Sequence, residues 1–302
     1  MQKKFLEIIL FLIGIMCLSY PILSNFINSY TKTEVVQQYR EDVGKMTDEE
    51  KANEIKKAQE YNKNLNNEGI IDLSLKDRDE KNDDGYASYL NILNIGNVLA
   101  YISIPKINVY LPIYHGVSDS VLQSGIGHLP ETSFPIGGKG THSVLAGHTG
   151  LAKATMFDYI DELVIGDKFY IYVLDDILEY EVDDIQVVEP AFQHVIKRDE
   201  NEDYVTLVTC TPRYINTHRL LVRGKRVENS ESNIQNMKEQ TDVDINQNII
   251  QRKNKMYYGI VIVIAILIVG IVILLVGKPR NGKHFWYIEI WRFDYKFVNI
   301  LK

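Results

Sequence analysis

From Asn97 to Glu228 the chain is cut into short runs of Val, Ile, Leu and Tyr, separated by Gly, Pro or Asp. The runs are Val98–Ile104, Val109–Ile113, His142–Ala146, Lys168–Val173, Leu178–Val188, Tyr204–Cys210 and His218–Val227. Branched and aromatic residues bounded by turn formers read as strands, and Asp175-Asp176 separates two of them as a hairpin would. Seven or eight strands in so short a stretch predict a mainly β domain, either a closed barrel or a sandwich. Met156–Leu163 is the one short helix expected inside it. There are no internal repeats.

Two apolar runs lie outside this domain. Residues 5–23 follow Lys3 and Lys4, and no small-residue cleavage site succeeds them, so an uncleaved signal anchor is predicted over a signal peptide. Residues 257–276 contain no charge for twenty positions, enough to cross a hydrocarbon core of roughly 30 Å. A buried core helix is seldom so uniformly Ile and Val. Lys3, Lys4, Lys278, Arg280 and Lys283 predict that both termini are cytoplasmic and the middle is extracellular, although Arg252, Lys253 and Lys255 flank the other side. The expected order is therefore a cytoplasmic start (1–4), a transmembrane anchor (5–23), a helical extension (24–66) and a lid-like loop (67–95). The β domain (97–228), a linker (229–256), a second span (257–276) and a cytoplasmic, aromatic-rich tail (277–302) follow. Within the extension, Val35, Val36, Tyr39, Val43 and Met46 recur at helical spacing, and Thr47-Asp48-Glu49-Glu50 has the form of a capping box.

Charge narrows the partners. Residues 24–256 carry 25 Lys+Arg against 37 Asp+Glu, or −12, while the rest carries 8 against 3, or +5. An acidic ectodomain has the wrong sign for nucleic acid, which is excluded. Two cysteines, Cys17 in an apolar run and Cys210 in the soluble part, cannot build a disulfide framework. No CxxC pair exists, so the usual structural zinc patterns are absent.

Cys210 ends the run Tyr204-Val205-Thr206-Leu207-Val208-Thr209, where a rigid strand can present a reactive group. An inert buried thiol is the competing reading. A free thiol has a pKa of about 8.5 and needs a base or cation nearby to act as a nucleophile. Among His115, His128, His142, His148, His194 and His218, His148 follows a strand directly between Gly147 and Gly150. Arg219 lies nine residues after Cys210 across the loop Thr211–Thr217, so a hairpin would return it beside the thiol. There it would stabilise an oxyanion, or else pair with a surface carboxylate.

These residues carry a family resemblance. Thr206-Leu207-Val208-Thr209-Cys210-Thr211-Pro212, then Ile215-Asn216-Thr217-His218-Arg219-Leu220-Leu221-Val222-Arg223-Gly224, resembles the signature of sortases. Gly140-Thr141-His142-Ser143-Val144-Leu145-Ala146-Gly147-His148-Thr149-Gly150-Leu151 and Gly127-His128-Leu129-Pro130-Glu131-Thr132-Ser133 are similar to that family as well. The resemblance implies an eight-stranded closed β-barrel with Cys210 as nucleophile, His148 as acid/base partner and Arg219 as transition-state stabiliser. It implies a cysteine transpeptidase, needing neither metal nor cofactor, that cleaves a Leu-Pro-x-Thr-Gly-like sorting signal through a thioester and passes the acyl group to an amine. Two spans, the helical extension and the loop before Arg219 look most like the pilin-polymerising class C. The implied partners are sorting-signal-bearing pilin or surface proteins, with a pilin lysine or a cell-wall precursor amine as acceptor. A housekeeping sortase, a thiol hydrolase and a non-catalytic adhesion module are the other readings. The Asp-Pro-aromatic lid motif of class C is missing, with Asp84-Gly85-Tyr86 where a lid should be.

Overall fold

The computed structural model describes residues 2–65, 68–71, 84–151, 155–190, 194–228, 254 and 257–270. Residues 1–20 and 258–302 form one compact unit and 21–257 a second.

Helix α1 (Gln2–Lys45) opens the chain. The helix continues through the boundary expected between an anchor ending at residue 23 and an extension starting at 24. From residue 22 to 43 no Gly or Pro interrupts the helix, and only Gly44 precedes its end. Helix α2 (Asp48–Asn64) begins at the predicted capping box: the Thr47 hydroxyl accepts from Glu50 N–H at 3.2 Å, and Glu50 Oε2 accepts from Thr47 N–H at 2.8 Å. Val36, Tyr39 and Val43 of α1 are buried against the β domain. Tyr39 locks the contact, donating to Leu99 O at 3.2 Å and accepting from Leu174 N–H at 2.9 Å.

The segment predicted as a loop over 67–95 holds two elements, β1 (Glu68–Ile71) and α3 (Asp84–Leu90), with 72–83 outside the described residues. Asp84-Gly85-Tyr86 is thus the first turn of a helix. The expected linker 229–256 lies outside the described residues except at Asn254, and 271–302 lies outside them entirely. The run 5–23 falls within α1, and 257–276 is described, as helix, from 257 to 270. Among the described residues no helix is long and apolar enough to cross a membrane, so the two expected spans gain no structural support.

The remaining elements are β2 (Ala100–Ile104), β3 (Val109–His115), α4 (Asp119–Ser124), β4 (Ile126–His128), β5 (Thr141–Ala146), β6 (Lys168–Val173), β7 (Asp176–Val188), β8 (His194–Lys197), β9 (Asp203–Thr211) and β10 (His218–Arg226). Eight strands close into a barrel in the order β10-β7-β6-β2-β3-β4-β5-β9, while β1 and β8 pair separately. Closure resolves the barrel-or-sandwich alternative. The seven runs read from sequence are all barrel strands, within two residues at most ends. The eighth, β4, has one apolar residue in three, which leaves no alternation to read. Its Gly127 is obligatory, because a Cβ there would meet Gly116 O at 2.3 Å. Met156–Leu163 is not a helix beyond a single 3-10 turn at Ile160–Glu162. Asp158 accepts from Met156 N–H through its side chain, competing with helical backbone bonding.

Helix α3 is pinned by Tyr89, buried among Tyr61, His115, His128 and Phe134. The Tyr89 hydroxyl accepts from Gly116 N–H at 3.0 Å and lies 3.0 Å from His128 Nδ1. His128, fully buried, has Nε2 2.9 Å from Ser133 O. Burial pushes its pKa down to about 3, partly opposed by the Ser133 carbonyl. A folded pKa below the ordinary 6.5 gives stability that is full above pH 6.5 and lost as pH falls toward 3. We expect about 2–3 kcal/mol to be lost by pH 4.5, at 1.36 kcal/mol per pH unit. Urea unfolding at pH 7 and 4.5 checks this, and His128→Gln should remove most of that slope; an unchanged slope would refute the assignment.

Candidate active site

Strands β5, β9 and β10 lie side by side, β5 parallel to β9 with Ala146 opposite Val208, and β9 antiparallel to β10 with Cys210 opposite Arg219. Side chains alternate across a strand. Leu145, Val205, Leu207, Leu220 and Val222 point into the main barrel core. The alternate residues Val144, Ala146 and Val208 join Val117, Leu122 and Leu129 in a second, smaller apolar cluster, against which Val188 and Leu221 pack. Cys210 continues the row of Val208, and Arg219 that of Leu221. The β5–β9 ladder extends one step further, with Gly147 N–H donating to Val208 O at 3.0 Å, so the row of Val144 and Ala146 leads to His148. Backbone register therefore brings the three predicted residues to the same end of adjacent strands, on the face that carries the smaller buried apolar cluster.

Local chemistry fixes each of them. The Thr209 hydroxyl donates to Gly147 O at 2.7 Å, tying the cysteine strand to the histidine turn. Gly147 allows that turn, because a Cβ there would press to 2.6 Å from the Phe157 ring and 2.8 Å from Ile126. Phe157 N–H donates to His148 O at 3.0 Å from the far side. His148 is half-buried, and burial lowers its pKa below the ordinary 6.5, while the carboxylates of Asp119 and Asp158 oppose the shift. Cys210 is a free, half-buried thiol. Arg219 is buried and donates to His218 O at 3.2 Å and Asn216 O at 3.4 Å. The loop between Cys210 and Arg219 has a cis peptide at Thr211-Pro212, and its Ile215 and Asn216 N–H groups both donate to Pro212 O, at 3.0 and 2.9 Å.

The other histidines do not join this group. His115 Nε2 lies 2.7 Å from Ile92 O, and His142 Nε2 lies 2.8 Å from the Thr206 hydroxyl. His218 contacts Thr217 at 2.9 Å, His128 is buried under α3, and the His194 side chain lies outside the described residues. Among the described residues no cluster of His, Cys, Asp and Glu is arranged to hold a metal. Sequence reasoning passed over Thr209, Asp119 and Asp158. Thr209 adjoins the cysteine and was findable by position alone, whereas Asp158 sits in a run read as helix.

A family model described as "Sortase domain" matches residues 102–227. Sortase C-1 from Actinomyces oris is similar in structure with a TM-score of 0.57 and 47% identity, over 60% of this chain and 99% of that one. A sortase C structure from Streptococcus pneumoniae, described as giving insight into pilin substrate specificity, matches with a TM-score of 0.58 and 39% identity, over 65% of this chain and 97% of that one. Sortase A of Bacillus anthracis is 34% identical over 130 residues, which are 43% of this chain and only 60% of that protein.

Proposed function

We propose that this chain, which belongs to the sortase family of cysteine transpeptidases, joins proteins bearing a sorting signal to an amine, with Cys210, His148 and Arg219 as its catalytic residues. The observation that carries the reading is the direct register opposition of Cys210 and Arg219, with His148 at the same end of the same face. The Cys210 thiolate attacks the Thr–Gly carbonyl of a Leu-Pro-x-Thr-Gly-like segment, and the Arg219 guanidinium holds the developing oxyanion. Protonated His148 gives its proton to the leaving glycine amine as the Thr–Gly bond breaks, leaving a thioester on Cys210. An incoming amine then attacks that thioester, and His148 takes its proton as the thiolate departs.

The likeness to two sortase C structures supports a pilin lysine as the acceptor, giving an isopeptide-linked fibre. The reading places the enzyme at the plasma membrane, held by residues 5–23 and 257–276 with the catalytic domain outside. Its support there is the apolarity of the two runs.

The test is intact mass of the full-length chain in detergent, incubated with a Leu-Pro-x-Thr-Gly peptide. An acyl adduct that hydroxylamine removes is expected, and its absence across a panel of x residues defeats the reading. Adding a pilin lysine donor or a cell-wall precursor amine then identifies the acceptor. The lowered His148 pKa makes a second prediction. Acylation needs a deprotonated partner in the thiol–imidazole pair, so its rate should fall on the acid side with a midpoint below pH 6.5. An acid limb centred at or above 6.5 would contradict the buried setting of His148.

A further inference from the structure

The segment that follows His148 and the loop that follows Cys210 are fastened together by residues that the proposed mechanism does not use. We propose that Asp158 is a positioning residue for His148, and that Arg213 latches the Asp158 segment to the loop after Cys210. This rests on the catalytic reading above.

The observations come from both sides of the site. Asp158 Oδ1 accepts from Gly150 N–H and Oδ2 from Met156 N–H, each at 2.8 Å. With Phe157 N–H on His148 O, three hydrogen bonds tie His148, Gly150 and Met156 to the Met156–Asp158 turn. These bonds fix the backbone on which the His148 imidazole is carried, at its own carbonyl and two residues on at Gly150. Arg213, three residues past Cys210, crosses to it. Its guanidinium donates to Asp158 O, lies 4.6 Å above the Tyr159 ring and reaches Asp161 at 3.5 Å. The next residue, Tyr214, covers the left-handed Gly150 (φ +74°), where a Cβ would come within 2.9 Å of its ring. Deeper down, the Thr209 to Gly147 bond joins the same two segments. The cysteine and histidine segments are thus joined at two levels, and the upper joint depends on Arg213 and Asp158.

The chemistry separates the contributions. Both Asp158 oxygens receive backbone donors, so an amide can serve only one of them, and Asp158→Asn leaves one N–H facing an NH2 group. Arg213 combines a planar donor with ring stacking, which a lysine ammonium reproduces only in part.

The experiment uses the full-length chain in detergent in a Cys17→Ser background, comparing Arg213→Ala, Arg213→Lys, Asp158→Asn and the Arg213→Ala/Asp158→Asn pair. Single-turnover thioester formation with a Leu-Pro-x-Thr-Gly peptide should slow about 10- to 100-fold in Arg213→Ala and Asp158→Asn, the scale of a misplaced catalytic group. Half-saturation should stay within about twofold, with Arg213→Lys intermediate and the pair little worse than the slower single, because both break one joint. Iodoacetamide alkylation of Cys210, which needs no peptide, should change severalfold in Arg213→Ala. Single variants within about twofold of the parent in both assays would overturn the latch, as would independent, multiplicative losses in the pair. If the parent itself forms no thioester, the catalytic reading fails, while alkylation still decides whether Arg213 controls the loop.

Discussion

Cys210→Ala should abolish the hydroxylamine-labile adduct completely while leaving the fold intact. The thiol is the one cysteine between residues 24 and 256, and the proposed reaction routes the acyl group through it alone. Serine should fail nearly as completely. A hydroxyl is far less ionised than a thiol near neutral pH, so the attacking anion is lost even with His148 in place. Cys210 is half-buried at a strand end and the main core lies on the other face of β9, so removing its sulfur opens no cavity in that core. Thermal melting within a few degrees of the parent is therefore expected at this surface-adjoining site. An adduct that persists in Cys210→Ala would move the chemistry elsewhere. A collapse in melting temperature would make the thiol structural.

How far these features were legible in the sequence depends on how local their causes are. Each of the seven runs declares itself by its own β-branched and aromatic residues, and the hairpin from Cys210 to Arg219 needs only a nine-residue return. His148 is marked by the glycines on either side. The site's face is another matter. It follows from β5 lying parallel to β9, a pairing of residues 62 apart such as Ala146 and Val208, which no local pattern announces. That pairing sets Val144, Ala146 and Val208 in the second buried cluster instead of the main core, on the face whose row Cys210 continues. Strand β4 was hidden for a related reason: Gly127 is required by the Gly116 carbonyl of a neighbouring segment, not by its own run. Asp158 was misplaced because its carboxylate spends both oxygens on backbone N–H groups, which ends the helix that the apolar spacing of Met156–Leu163 suggests.

Arg219→Ala should lower the acylation rate by about 10²–10³ while the peptide half-saturation stays nearly constant, the signature of a donor that acts on transition-state charge. Register is the reason: directly opposed residues on adjacent antiparallel strands share a face with Cβ atoms about 5 Å apart, so the guanidinium and the thiol serve the same reacting carbonyl. Arg219 also donates to the carbonyls of Asn216 and His218, so the same loss would arise if alanine merely loosened the loop. Iodoacetamide separates the two. Its reaction with Cys210 develops no carbonyl oxyanion, so Arg219→Ala should be alkylated within a few-fold of the parent while its peptide acylation falls by orders of magnitude. Arg219→Lys keeps the charge and loses the planar fork, and should recover only part of the rate. Parallel losses in alkylation and acylation would reassign Arg219 to holding the loop, and the oxyanion would then need another donor.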